Sequence, residues 1–243
     1  MHTVDRGDET MKRSIGLYVC YMVTILAVLI GAKILNRTVT VMAANRIKEG
    51  KVCIIIDPGH GGEDGGAVSV TGKPESTYNL EISVRLNDML KLLGYETRMT
   101  RDADISIYTK GENLAQKKVS DLKERVRIIN DTDNALLLSI HQNHFPEEKY
   151  AGPQVFFSAS GDSEQLAKHL QSILVSGLSP GSKRSAKKAS RIYLMEHIRC
   201  TGVLVECGFL SNYREEAALR DPQYQKKVSS LIAAGVSQYL SNT

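Results

Sequence analysis

Val52-Cys53-Ile54-Ile55-Ile56-Asp57-Pro58-Gly59-His60-Gly61-Gly62 is an apolar run that stops abruptly on an imidazole set among glycines. A strand buried on both faces reads as an unbroken, largely β-branched run. Val52–Asp57 therefore predicts an inner strand of a sheet covered on both sides. Pro58 and the glycines end the strand and let the backbone approach whatever His60 touches. Taken alone, His60 is either an exposed imidazole in a tight turn or a metal ligand or base at the carboxyl end of a strand. Open α/β sheets keep their sites at such ends.

Downstream, strand and helix alternate. Ile82, Leu86, Met89, Leu90 and Leu93 mark one face of a helix from about Ser76 to Leu93, with Gly94 as its stop. Tyr95–Thr100 alternates as a half-buried strand. Asp102–Lys118 reads as a long polar loop, Asp121–Asn130 as a helix and Ala135–Ile140 (ALLLSI) as a buried strand. Gln154–Ser158 predicts a further strand, Ser163–Leu174 a helix, and Arg191–Leu194 and Gly202–Val205 the last two strands. Val228, Leu231, Ile232, Val236 and Tyr239 share one side of a C-terminal helix. The fold class this implies is α/β: a single domain, residues 52–243, with a mostly parallel mixed sheet flanked by helices on both faces.

The chain has 243 residues, 42% of them hydrophobic, enough for one α/β domain plus an extra segment. A net charge of +4 and the lack of a basic stripe interleaved with aromatics argue against nucleic acid as a partner. Lys183-Arg184 and Lys187-Lys188 read as a solvated loop that could lie near an anionic polymer or membrane surface. Residues Ile15–Ala32 carry no charge over 18 positions, and Lys12-Arg13 precede them, the pattern of an export signal or signal anchor. That divides the N-terminal region into a short cytoplasmic stretch (1–14), a membrane or export segment (15–32) and a linker (33–51). It places the domain of residues 52–243 outside the cytoplasm. The four cysteines form no CxxC pair; buried free thiols are expected, with a Cys200–Cys207 bridge as the lesser option.

Two more apolar strands run straight into reactive side chains. ALLLSI meets His141-Gln142-Asn143, and Gly202-Val203-Leu204-Val205 meets Glu206-Cys207-Gly208. Parallel neighbours would bring these ends to one crevice. His60 and His141 could offer two imidazoles to a single Zn²⁺, which in hydrolases takes nitrogen ligands, a carboxylate and an open position. Glu63 and Glu75 are the candidate carboxylates, and they imply different enzymes. His60-Gly61-Gly62-Glu63 has the HxxE spacing of a zinc carboxypeptidase, whereas Glu75 opens the first long helix.

DPGHGG, a glutamate opening a helix (PESTYNLEISVRL), TRDAD, SIHQN and VECGFLSN follow in that order. The set resembles the zinc-dependent N-acetylmuramoyl-L-alanine amidases of the Amidase 3 type, which trim bacterial peptidoglycan, over about Val52 to the C-terminus. The resemblance implies that His60, Glu75 and His141 bind one zinc ion and that Glu206 is the catalytic carboxylate. KKVSDLKERVRIIN and HQNHFPEEKYAGPQVFF look like the germination-type amidases of spore formers. That narrower likeness implies removal of stem peptides from muramic acid in the spore cortex, leading to muramic δ-lactam. Peptidoglycan is then the substrate, and an accessory protein could order the metal site. Asn143 is open between positioning substrate and forming a turn, and Asp57 between orienting a ligand histidine and shaping its turn. Two rivals stand beside this reading: a carboxypeptidase-like peptidase built on His60 and Glu63, and an inactive peptidoglycan-binding module.

Overall fold

The computed structural model describes residues 15, 17–28, 30–31, 33 and 52–242. The chain divides into two units, Met1–Gly50 and Lys51–Thr243. In the first, the described residues are helical and their apolar side chains are exposed. Among the described residues no helix is long and apolar enough to cross a membrane. Positions 16, 29 and 32 of the expected export segment lie outside the described residues, as do 1–14 and 34–51.

The second unit is built on six strands: β1 (Cys53–Pro58), β2 (Glu96–Met99), β3 (Ala135–Asn143), β4 (Gln154–Phe157), β5 (Lys187–Lys188) and β6 (Thr201–Phe209). Their order in the sheet is β2-β1-β3-β6-β4-β5. β2, β1, β3 and β6 run parallel, and β4 pairs antiparallel with β6, so the sheet is mixed as expected. The helices are α1 (Glu75–Leu92), α2 (Leu114–Asn130), α3 (Ser163–Leu178), α4 (Tyr193–His197), α5 (Tyr213–Arg220) and α6 (Pro222–Asn242). The chain leaves β1 through α1 to β2 on one side and returns through α2 to β3 on the other. The crevice between the ends of β1 and β3 is therefore a topological switch point, where such sheets bind ligands.

Strand alternation divides the core in two. Ile54, Ile56, Leu136, Leu138, Ile140, Val203 and Val205 face α1, α3 and α6, while Ile55, Leu137 and Leu204 face α2 and α4. Every residue of β1 is buried, which explains why its sequence shows no polar alternation. In α1, Tyr78, Ile82, Leu86 and Leu90 recur every fourth residue and are fully buried. The helix ends where Gly94 takes φ +86°. There Gly94 N–H bonds Lys91 O and Tyr95 N–H bonds Leu90 O, a Schellman closure.

Several expectations about elements change: β3 and β6 run on through Asn143 and Phe209, so His141 and Glu206 lie within their last residues, and Lys187–Lys188, expected as loop, pairs with β4 as β5. Arg191–Leu194 is not a strand: Arg191 sits at φ +62° and the chain enters the short helix α4 at Tyr193. The Asp102–Lys118 loop stops early, because the Asn113 side chain accepts from Gln116 N–H and starts α2 at Leu114. Tyr213–Arg220 is a helix that the apolar pattern did not reveal, capped by Asn212 on the amides of Arg214 and Glu215. All four cysteines are free. Cys200 and Cys207 are seven residues apart along essentially one extended strand, roughly 23 Å at ~3.3 Å per residue, far beyond disulfide reach.

Candidate active site

Three successive carbonyls at the end of β1 are gripped by buried side chains. Pro58 O accepts from Arg101 Nε (3.0 Å) and Arg125 Nη1 (2.8 Å). Gly59 O accepts from Arg101 Nη2 (2.9 Å) and Asn79 Nδ2 (3.1 Å), and His60 O from Arg125 Nη2 (2.8 Å). Both arginines are 2% exposed, so these bonds form away from water and hold their geometry. They fix His60 at φ +60°, a left-handed conformation costing an ordinary residue about 1–2 kcal/mol. Arg125 is itself neutralised by Asp57 (2.6 Å) and Asp121 (2.6 Å). Burial works against ionising Asp57, but Arg125, Thr100 and Ser139 hold its carboxyl below the usual carboxylate range. Asp57 thus acts through Arg125 on the loop backbone; its oxygens meet Arg125, Thr100 and Ser139.

The fixed loop brings His60 to Glu75 and His141. His60 Nε2 lies 3.3 Å from Glu75 Oε2, and His141 Nδ1 lies 2.9 Å from Glu75 Oε1. Glu75, the first residue of α1, is buried. Ala67 N–H (3.0 Å), Gln142 N–H (3.1 Å) and Asn79 Nδ2 (3.1 Å) orient its carboxylate. Burial would raise its pKa, but the bonds to His141 and His60 win and keep it well below the carboxylate range. One donor atom from each of His60, Glu75 and His141 falls within 4.8 Å of the other two. Ligands on a tetrahedral zinc with ~2.0–2.1 Å bonds stand roughly 3.3–3.4 Å apart, so the His60–Glu75 spacing suits such an ion closely.

Asp64 completes the support. Its Oδ2 is 2.9 Å from His60 Nδ1, which anchors that nitrogen as a donor and directs Nε2 towards Glu75 as the atom a metal would take. In the metal-free site burial lowers the His60 pKa, yet Asp64 and Glu75 together raise it to about 9. Glycines make the close approach feasible. A Cβ on Gly59 would lie 2.2 Å from the His141 ring, and one on Gly66 would lie 2.7 Å from both Glu75 and the His60 ring.

Glu206 stands beside this group. In the β3–β6 ladder it is the direct partner of His141, so both side chains project on one face of the sheet at its carboxyl end. Its Oε2 is buried with no hydrogen-bond partner among the described residues. Burial pushes the carboxyl up to about 7, with Glu75 adding to the shift and His141 and His60 opposing it. A carboxylate poised there can take a proton and give it back near neutral pH.

Glu63, the other candidate carboxylate, goes elsewhere. Gly61 and Gly62, at φ +137° and +56°, turn the chain so that Glu63 pairs with Lys117 Nζ (2.8 Å) on the surface. The His60–Glu63 ligand pair is not formed. Asn143 ends β3 after a register shift, its carbonyl bonded to Leu210 N–H, and it lines an adjoining cleft rather than the His–Glu–His group. His169 lies in α3 and His197 in α4, stacked on Tyr193; neither joins the group. Residue-by-residue reading missed the supports Asp64, Asn79, Gln142, Arg101 and Arg125. Arg101 and Arg125 lie inside stretches that carry the family likeness, but their roles depend on which carbonyls they reach.

The family described as N-acetylmuramoyl-L-alanine amidase matches residues 54–238. The chain belongs to the N-acetylmuramoyl-L-alanine amidase family. Among its relatives, the germination-specific N-acetylmuramoyl-L-alanine amidase of Bacillus subtilis is 40% identical over 195 residues, covering 79% of this chain and 81% of that protein. Among solved structures, the CwlD amidase of Clostridioides difficile, in complex with the GerS lipoprotein, superposes with a TM-score of 0.76 at 35% identity. It covers 79% of this chain and 100% of that one. The amidase AmiC2 of Nostoc punctiforme gives 0.66 at 27% identity, covering 79% and 99%. The chain is thus an enzyme of the amidase family, acting on peptidoglycan, with a His–Glu–His group able to hold a metal ion.

Proposed function

We propose that this amidase is zinc-dependent, with His60, Glu75 and His141 as the ligands and Glu206 as the catalytic acid–base. It would cleave the amide joining N-acetylmuramic acid to L-alanine during spore-cortex maturation, on the route to muramic δ-lactam. The observation that carries the reading is Glu206, the direct ladder partner of His141, with a buried oxygen that has no hydrogen-bond partner among the described residues. Bound by the three ligands, Zn²⁺ would supply a Lewis acid that polarises the scissile carbonyl and lowers the pKa of a coordinated water to ~7. Glu206 takes the proton from the attacking water as the C–O bond forms. It then delivers that proton to the departing alanine nitrogen as the C–N bond breaks, releasing a free amine and a muramic carboxylate. Asp64, Gln142 and Asn79 hold the ligands still, so no reorganisation is needed when charge develops on the carbonyl oxygen.

The cortex role is supported by the 40% identity to a germination-specific amidase. The solved complex of CwlD with a lipoprotein supports an accessory protein that helps order the site. Residues 15–32, behind Lys12-Arg13, support export across the cytoplasmic membrane with 33–51 as a linker. Mass spectrometry of digested peptidoglycan tests the reaction. Release of intact peptides beginning with L-alanine is expected; a terminal amino acid alone would indicate a carboxypeptidase, and no release an inactive binder. Protease added outside intact protoplasts should digest the domain, and full protection equal to that of a cytosolic control would refute export.

A further inference from the structure

Beside Glu206 lies a cleft of about 560 Å³ whose charged lining is entirely basic. Lys183, Arg184 and Lys187 contribute the charge, Phe145, Tyr150 and Phe209 contribute aromatic walls, and no aspartate or glutamate lines it. The cleft is joined to the reaction site through the sheet. Gln154, part of its lining, is the cross-strand partner of Glu206, and Asn143 follows His141 by two residues and pairs with Phe209. Directly paired antiparallel residues stand about 5 Å apart, so the cleft opens next to the scissile bond.

We propose that this cleft receives the peptide half of the substrate, with Arg184, Lys183 and Lys187 pairing a carboxylate of the stem peptide. The proposal rests on the amidase reading above and names the subsite that reading leaves unassigned. The two halves of the substrate differ in charge: the glycan presents hydroxyl and acetamido groups, whereas the peptide carries carboxylates. A basic lining selects the latter.

Arg184 is built to serve as the anchor. Its Nε donates to Ala151 O (2.9 Å), its Nη1 reaches Gln154 Oε1 (3.3 Å), and its guanidinium lies 4.9 Å from the Phe209 ring centre. A guanidinium held on three sides loses little entropy on pairing with a carboxylate. Glu215, which feels the Arg184 charge, has both carboxylate oxygens engaged, accepting from Gly152 N–H (2.7 Å) and Phe209 N–H (2.8 Å), and braces the walls. Tyr150 stacks on Phe209 at 6.3 Å and meets Phe145 edge-on at 4.7 Å, a surface for apolar peptide atoms. Lys183 and Lys187 are exposed and can close over the ligand from the rim.

The test is binding of two synthetic L-alanyl tripeptides to the intact protein by calorimetry, one with free carboxylates and one fully amidated. Peptide release from peptidoglycan is measured in parallel. Wild type should bind the acidic peptide about 10-fold more tightly. Lys183→Gln/Lys187→Gln, at two exposed positions, should reduce that preference while leaving kcat unchanged and raising KM. Arg184→Gln should abolish the preference and Arg184→Lys should restore part of it, which a purely structural arginine would not require. Equal binding of the two peptides by wild type, or wild-type selectivity in both glutamine variants, overturns the proposal. If release occurs without charge dependence, the subsite is wrong and the amidase reading stands. If charge-dependent binding occurs without release even from zinc-loaded protein supplied with an accessory partner, the catalytic roles proposed above are wrong and only the charge-selective cleft stands.

Discussion

Glu206→Gln should keep the zinc ion proposed for the His60–Glu75–His141 group and lose about 100-fold or more of kcat, the loss typical of removing one general acid–base group. The substitution preserves shape and volume, so the β6 strand and its ladder to His141 have no reason to shift. What changes is the chemistry of one buried oxygen that has no hydrogen-bond partner among the described residues. An amide in its place cannot accept a proton and return it to the leaving nitrogen. Glu63→Gln should change metal content and rate only modestly, since Glu63 is on the surface with Lys117, where solvent screens the pair. Elemental analysis and peptide release on both variants decide between the carboxylates. Zinc loss in Glu63→Gln beside full turnover in Glu206→Gln would overturn the roles assigned to both.

The same contrast explains how far the sequence could be read. β1, β3 and β6 were legible because they are buried on both faces and largely apolar, although β3 runs on through Asn143 and β6 through Phe209, past the polar residues at which the sequence reading ended them. His60, His141 and Glu206 were legible as potentially reactive side chains at or just past the ends of these apolar runs. Glu75 was legible as a helix opener, though only the folded loop brings it between two histidines at residues 60 and 141. The edge elements were not legible. Arg191 takes a positive φ that no side-chain pattern encodes, and α5 has a largely exposed face with few apolar positions to mark its period. The supports were hidden for a different reason. Arg101 and Arg125 bond to main-chain carbonyls, which every residue possesses, so their targets are fixed by the path of the chain and not by the identity of any partner.

Single alanine changes at His60, Glu75 or His141 should empty the metal site and abolish peptide release, each by removing one of three protein donors. The losses should exceed that of Asp64→Ala, which leaves all three donors but frees the His60 ring; losing such a support costs roughly 10–100-fold in metal affinity. Gly59→Ala should weaken zinc binding without touching a donor at all. Its Cβ would lie 2.2 Å from Cε1 and Nε2 of His141, too close for any side-chain atom, so the ring must leave its place beside Glu75. The backbone there has little freedom to yield instead, because Arg101 and Asn79 hold the Gly59 carbonyl. Zinc content after equilibration in a buffered zinc series gives the order directly, with circular dichroism confirming that each variant is folded. Full zinc retention in all three ligand variants would refute the assignment. Retention in Gly59→Ala with loss in His141→Ala would instead mean that the loop relaxes, and that the arginine clamp is weaker than its buried hydrogen bonds imply.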